Sequence, residues 1–239
     1  MFIPSFGYGR RSFLVNAPAR FFVAVLVAAA LWAARAHADG VKSRTAAIRI
    51  VAIGDSLTAG LGLREQDTFT VRLDAALRAR GHNVTVVNAG VSGDTTAGGR
   101  TRLAWTIAGS GAEKTDAVIL ELGANDGLRG LDPGATFANL DDILTRLGRR
   151  KIPVLLTGML APPNLGRDYA RQFREIYIRL AQKHDVVFYP FFLAGVAADP
   201  KLNQNDAKHP NADGVKVIVR RILPAVEKLL KRVSGRGES

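Results

Sequence analysis

One serine and one acid–histidine pair are the residues of this chain best placed to do chemistry. Gly54-Asp55-Ser56-Leu57 directly follows the apolar run Ile48-Arg49-Ile50-Val51-Ala52-Ile53. A serine at the carboxyl end of a buried strand is exposed at the sheet edge where ligands bind, and is well placed as a nucleophile. Near the other end stands Asp206-Ala207-Lys208-His209-Pro210, with the acid three residues before the histidine. The three side chains supply a nucleophile, a base and a group to orient the base, in the order Ser, Asp, His. That set of roles points to acyl transfer.

The elements that must position these groups can be read from the alternation of apolar runs and helical patterns. Strands are expected near 48–53, 84–88, 116–122, 152–158 and 186–189, with helices near 68–80, 98–108, 135–149 and 168–183. A last amphipathic segment covers 211–233, and Pro224 inside it should kink or interrupt it. Near-continuous Val/Ile/Leu strands separated by helices indicate a parallel sheet covered on both faces. Five of them fit an α/β, flavodoxin-like three-layer sandwich around a central five-stranded parallel sheet.

Three strands run into Gly-rich polar loops: Gly54-Asp55-Ser56-Leu57-Thr58-Ala59-Gly60, Asn88-Ala89-Gly90-Val91-Ser92-Gly93-Asp94-Thr95 and Leu122-Gly123-Ala124-Asn125-Asp126-Gly127. In a parallel sheet all three open at one edge. The backbone N–H groups of Ser56 and Gly93, with the Asn125 amide, could surround a developing oxyanion. One such donor is typically worth about 3–4 kcal/mol of barrier.

Composition excludes several other chemistries. The 239 residues are 47% hydrophobic and 23% charged, which suits one domain with an ample core. There is no cysteine, so thiol catalysis, disulfides and thiolate-bound metal are out. No H-E-x-x-H or other His/acid cluster suggests a catalytic metal, and no cofactor motif is present. The formal charge is +12; subtracting the four arginines before Asp39, a stretch without acids, leaves +8. The basic residues are scattered and not interleaved with aromatics, so nucleic acid is not an expected partner. A basic surface of this kind allows loose attraction to anionic lipid or acyl carriers.

The first 38 residues read as a targeting signal. Arg10 and Arg11 precede an apolar run over 21–34, and Ala36-His37-Ala38 is an A-x-A cleavage site, so the mature chain is expected to begin at Asp39. Gly9-Arg10-Arg11-Ser12-Phe13-Leu14 resembles a twin-arginine signal, an ordinary Sec signal being the plainer reading and an uncleaved anchor a third. The expected location is periplasmic or secreted. One domain over 39–239 with a disordered tail at 234–239 completes the layout.

Gly54-Asp55-Ser56-Leu57, Gly93, Gly123-Ala124-Asn125-Asp126 and Asp206-x-x-His209-Pro210 resemble the four blocks of the SGNH (GDSL) hydrolases, in the right order and across the mature chain. The runs 91–96 and 125–130, with Pro163-Asn164-Leu165-Gly166, Tyr169 and Phe173, narrow the resemblance to the bacterial arylesterase, acyl-CoA thioesterase I and lysophospholipase L1 subgroup. It implies Ser56 as nucleophile, His209 as general base, Asp206 as its orienter, and Ser56 N–H, Gly93 and Asn125 as the oxyanion hole. Departures are modest: Asn205, Ala207-Lys208 and Thr70 replace more usual residues. There is no G-x-S-x-G elbow of the α/β-hydrolase kind.

Plainer uses compete for the same residues. Ser56 could cap a helix, Asn125 could form a turn, and His209-Pro210-Asn211 could be a helix start. Asp55 and Asp126 read as loop braces, and Ser92 is a rival nucleophile on paper. His82 looks exposed, and His184, at a helix end, reads as a surface or dipole-compensating residue. The expectation is a serine esterase that cleaves small-molecule esters or thioesters through an acyl-enzyme. Its acyl pocket is expected from Leu122-Gly123, 128–131, Met159-Leu160 and Phe191-Phe192. The rivals are a carbohydrate O-deacetylase and a non-catalytic lipid- or glycan-binding module on the same fold.

Overall fold

A computed structural model describes residues 1–2, 46–108 and 114–235. The chain divides into two compact units, Met1–Thr45 and Ala46–Ser239. Of the first unit only the exposed Met1 and Phe2 are described. The targeting segment, its cleavage site and the domain start at Asp39 therefore lie outside the described residues.

The second unit is built on five parallel strands: β1 (Ile48–Gly54), β2 (Val84–Gly90), β3 (Ala117–Glu121), β4 (Val154–Thr157) and β5 (Val187–Tyr189), in the order β2-β1-β3-β4-β5. This is the flavodoxin-like order, whose direction of winding reverses between β1 and β3. Every residue of β3 and β4 is buried, as expected of strands covered on both faces. β2 is an edge strand and half exposed.

The helices are α1 (Ser56–Ala59), α2 (Phe69–Ala79), α3 (Thr96–Ala108), α4 (Ala124–Leu128), α5 (Pro133–Arg149), α6 (Arg167–His184) and α7 (Ala212–Ser234). α2 packs on α7, while α3, α5 and α6 pack in series, so each face of the sheet has its own helix group. Caps set the starts. Asp132 accepts from Ala135 N, with Pro133 at the first helical position of α5, and Asn211 accepts from Asp213 N and Gly214 N at the start of α7.

Two expectations bear on α7, a kink or interruption at Pro224 and a disordered tail from Ser234. The helix runs unbroken through Pro224. Its buried stripe includes Val215, Ile218, Val219, Ile222, Leu223 and Val226, while Pro224 and Arg220 lie on the exposed face. The hydrogen bond that proline removes would join those two residues, on the side where water can satisfy the carbonyl. The helix also continues through Ser234, where a disordered tail was expected to begin. Residues 236–239 lie outside the described residues.

Candidate active site

The carboxyl ends of β1, β2 and β3 meet at the switch point. β1 ends on Gly54 because nothing larger fits: a Cβ there would stand 2.0 Å from Thr58 Oγ1 and 2.6 Å from Glu121 Oε2. Asp55 then caps α1 by accepting from Leu57 N at 3.0 Å, which makes Ser56 the first helical residue. The capping reading of Ser56 thus belongs to its neighbour. Asp55 also accepts from Asn125 Nδ2 at 3.2 Å, so it braces two loops.

The acid–histidine pair comes from the loop before α7. Ala207 takes a left-handed φ of 58°, turning the loop back on itself. Asp206 Oδ1 accepts from the backbone N–H of Lys208 and His209 at 2.9 and 3.0 Å, and its Oδ2 stands 2.5 Å from His209 Nδ1. These bonds, the His209 N–H foremost, hold the Asp206 carboxyl well below the usual carboxylate range. His209 Nε2 stands 2.8 Å from Ser56 Oγ. Gln204 fastens the loop to the serine side by donating from Nε2 to Leu61 O at 2.8 Å. A hydroxyl, an imidazole and an ionised carboxylate in line can move a proton off the hydroxyl as it attacks a carbonyl.

Gly93 follows β2 with φ 84°, a left-handed conformation that a residue with a Cβ rarely adopts. Its carbonyl accepts from Arg129 Nη2 at 3.0 Å. Asn125, in α4 after β3, donates from Nδ2 to Asp94 O at 2.9 Å and, more loosely, to Asp55 Oδ2. Asp126 braces a different contact from the one expected. It points away from its own loop, accepting from Thr96 N and Oγ1 at 2.9 and 2.5 Å and from Thr136 Oγ1 at 3.3 Å.

Ser56, Gly93, Asn125 and His209 all line one cavity of about 620 Å³. Ser92 lines it too, but the histidine contact belongs to Ser56. Of the expected acyl-pocket residues, Leu128, Met159, Leu160 and Phe191 are in the wall. Leu122 and Phe192 are not: they are 1% and 0% exposed and belong to the core. Gly123 and residues 129–131 also lie outside the wall, which instead includes Leu61, Pro162, Pro163, Leu193, Ala197 and Ala198.

Sequence reasoning missed Glu121. It ends β3 fully buried, and its Oε2 accepts from Thr58 Oγ1 at 2.8 Å. Burial drives its carboxyl well above the usual range, reinforced by the charge of Asp55, and burial pushes Asp55 up to about 6. The two acids form a floor beneath the serine turn. The available signal was an acid closing an otherwise apolar strand just before a polar block. His184 ends α6, as a dipole-compensating residue would, but it is not a surface residue: its mostly buried side chain stands 2.6 Å from Asp141 Oδ1.

The GDSL-like lipase/acylhydrolase family model matches residues 52–217. The chain belongs to that family. Esterase TesA of Pseudomonas aeruginosa is 35% identical over 78% of this chain and 92% of its own. Thioesterase 1/protease 1/lysophospholipase L1 of Escherichia coli K12 is 36% identical over 70% of this chain and 78% of its own. Among solved structures, the SGNH-hydrolase family esterase AlinE4 is 48% identical, with a TM-score of 0.66 over 79% of this chain and 99% of its own. The family member described here is an ester-bond hydrolase with the SGNH fold, and the α/β sandwich read from the sequence is the observed one.

Proposed function

We propose that this protein is a serine hydrolase of small-molecule carboxylic esters and thioesters, with Ser56, His209 and Asp206 as its catalytic groups. The observation that carries the assignment is the 2.8 Å contact of Ser56 Oγ with His209 Nε2, backed by the 2.5 Å contact of His209 Nδ1 with Asp206. Ser56 Oγ attacks the acyl carbon while its proton passes to His209 Nε2. The carbonyl oxygen becomes an oxyanion held by the N–H groups of Ser56 and Gly93 and by the Asn125 amide. Asn125 frees a donor by yielding its 3.2 Å bond to Asp55, the weaker of its two. Collapse expels the alcohol or thiol, which takes its proton from His209. Water then attacks the acyl-enzyme, giving its proton to the same nitrogen; the bond to Ser56 Oγ breaks, Oγ takes that proton back from His209, and the acid leaves. The residues supply nucleophile, base and oxyanion donors, and the reaction as written needs no cofactor.

The cavity wall favours acyl groups over sugars: Leu61, Leu128, Met159, Leu160 and Phe191 offer apolar surface rather than hydrogen bonds. Hydrolysis of p-nitrophenyl acetate, butyrate and decanoate by the wild type and by Ser56→Ala tests the assignment. The wild type should turn over all three, and an organophosphate should label Ser56. Labelling at Ser92, or turnover surviving in Ser56→Ala, overturns it.

Arg10 and Arg11, the apolar run over 21–34 and the A-x-A site support an exported enzyme, cleaved between Ala38 and Asp39, working in the periplasm or outside the cell. Sequencing the N-terminus of the exported protein tests this, with Asp39 expected first. Replacing Arg10 and Arg11 by lysine should block export if the twin-arginine route is used.

A further inference from the structure

Large exposed apolar side chains are unevenly placed in this molecule. Between residues 46 and 235, eight of them are described as standing at least about a third exposed. Val71 and Trp105 sit singly on helices, which is ordinary for a protein surface, while Ile178 lines a groove beside Leu160. The other five are Leu61, Val91, Leu128, Leu131 and Leu160, at 48, 45, 49, 39 and 44% exposure. They follow β1, β2, β3 and β4 in turn, so the parallel sheet brings all five to its carboxyl edge. Leu61, Leu128 and Leu160 line the mouth of the cavity that holds Ser56, and Val91 and Leu131 stand outside it.

Cations accompany this rim. Lys208 is in the cavity wall and Arg129 follows Leu128. Arg171 and Arg174 line a neighbouring groove of about 450 Å³ that shares Leu160, Ala161 and Pro163 with the main cavity. The acids there are partly engaged: Asp168 pairs with Arg171 at 3.0 Å, Asp206 holds His209, Glu175 lines the groove, and the exposed Asp132 follows Leu131 and caps α5. Apolar side chains circling an opening, with lysine and arginine beside them, match the headgroup–acyl boundary of a bilayer. The apolar groups enter the boundary while the cations meet phosphate.

We propose that this rim docks the protein on anionic phospholipid bilayers, so that an amphiphilic ester passes from the interface into the cavity acyl chain first. The reading rests on the proposed esterase site only for what happens after docking. Docking itself is measurable without turnover.

The absence of cysteine makes a site-specific test direct. Leu131→Cys and, as a control on α3, Trp105→Cys are labelled with an environment-sensitive fluorophore in the exported protein. Vesicles of phosphatidylglycerol carrying brominated chains should blue-shift and quench the label at 131 and leave the label at 105 unchanged. Equal response at both positions, or none at 131, overturns the proposal. So does a response at 131 to a small acidic carrier protein but not to vesicles. Adding Ser56→Ala should not alter the response, which keeps failure of docking distinct from failure of the esterase reading.

Two further variants sharpen the result. Val91→Ser with Leu131→Ser should weaken vesicle affinity about ten-fold or more, because two apolar side chains no longer leave water. Turnover of dissolved p-nitrophenyl acetate should stay within about two-fold, since neither residue lines the cavity. Arg174→Glu should weaken binding to phosphatidylglycerol about five-fold or more, with little change on phosphatidylcholine. Wild-type vesicle affinity in both variants would overturn the assignment.

Discussion

Two Asp–His pairs stand at opposite edges of the same sheet. At the carboxyl edge, His209 Nδ1 lies 2.5 Å from Asp206; at the amino edge, His184 Nε2 lies 2.6 Å from Asp141. Both histidines are mostly buried, with side chains 18% and 14% exposed. Both border cavities of similar size, about 620 and 560 Å³. What separates them is the remaining ring nitrogen. That of His209 meets the Ser56 hydroxyl, whereas the described wall of the His184 cavity contains no hydroxyl side chain. The acids differ as well. Asp206 is held by backbone N–H groups of its own turn, while Asp141 is shared with Lys183 in an ion pair joining α5 to α6. An acid and a histidine in contact therefore do not define a site. In a parallel sheet, the loops that follow the strands carry the hydroxyl and the donors.

The comparison breaks first at the nitrogen that faces Ser56. His209→Ala should lower kcat by about three or more orders of magnitude, as losing the base of a triad does. His184→Ala should leave kcat within about two-fold. Steady-state kinetics on p-nitrophenyl butyrate decide it: comparable losses in both variants would erase the distinction.

The next largest effect tests the proposed oxyanion donors. Asn125→Ala should cost about 10²–10³ in kcat with a much smaller change in KM, because the amide gains its full partner only as charge develops on the substrate oxygen. A loop-forming asparagine would instead lower the melting temperature and leave turnover nearly normal. Measuring kcat and Tm on the same preparation separates the two roles.

Acidity should act with opposite sign on the two buried acids beneath Ser56 and on Asp141. Glu121 and Asp55 bind a proton more tightly folded than unfolded, so their contribution to stability is fullest below about pH 4. It is lost as pH rises through about 6 for Asp55, and through the raised value of Glu121. Glu121→Gln keeps an acceptor for Thr58 and removes one of the two titrations. Its Tm relative to wild type should therefore climb between pH 5 and pH 8. A difference that does not change with pH would mean that Glu121 stays in one protonation state.

The sequence made the catalytic edge legible and left the amino edge obscure, for physical reasons. Apolar runs placed all five strands to within two or three residues, because burial leaves few polar interruptions in β1, β3 and β4 and β-branched residues mark the half-exposed β2. The order Ser56, Gly93, Asn125, Asp206, His209 could be read because each loop is local and the parallel sheet gathers its ends. α1 and α4, of four and five residues, escaped notice because they are too short to show a period. Leu122 and Phe192 were assigned to the pocket but fill the core, since nothing in a loop decides which of two adjacent apolar residues faces inward. Glu121 and the Asp141–His184 pair depend on packing between distant elements, which no local pattern reports.

The smallest effect tests what the amino-edge pair is for. Burial opposes ionisation of Asp141, but the bonds from Lys183 and His184 outweigh it and hold its carboxyl below the usual value. The folded carboxyl therefore releases its proton more readily than the unfolded one. The resulting stability is present above about pH 4 and lost as pH falls through the folded value, the reverse of the Glu121 and Asp55 case. His184 also ends α6, where a protonated imidazole would favour the helix carboxyl terminus. Removing it leaves Asp141 with Lys183, so His184→Ala should cost about 1 kcal/mol near neutral pH, in the range of partly exposed ion pairs. Asp141→Asn should cost somewhat more, because Lys183 and His184 lose the same partner. In the double variant the two losses should fall short of their sum, since both remove one contact. Urea melts of the four proteins at pH 7 measure the coupling. Strict additivity would show that the 2.6 Å contact contributes nothing, leaving Lys183 as the partner of Asp141 between α5 and α6.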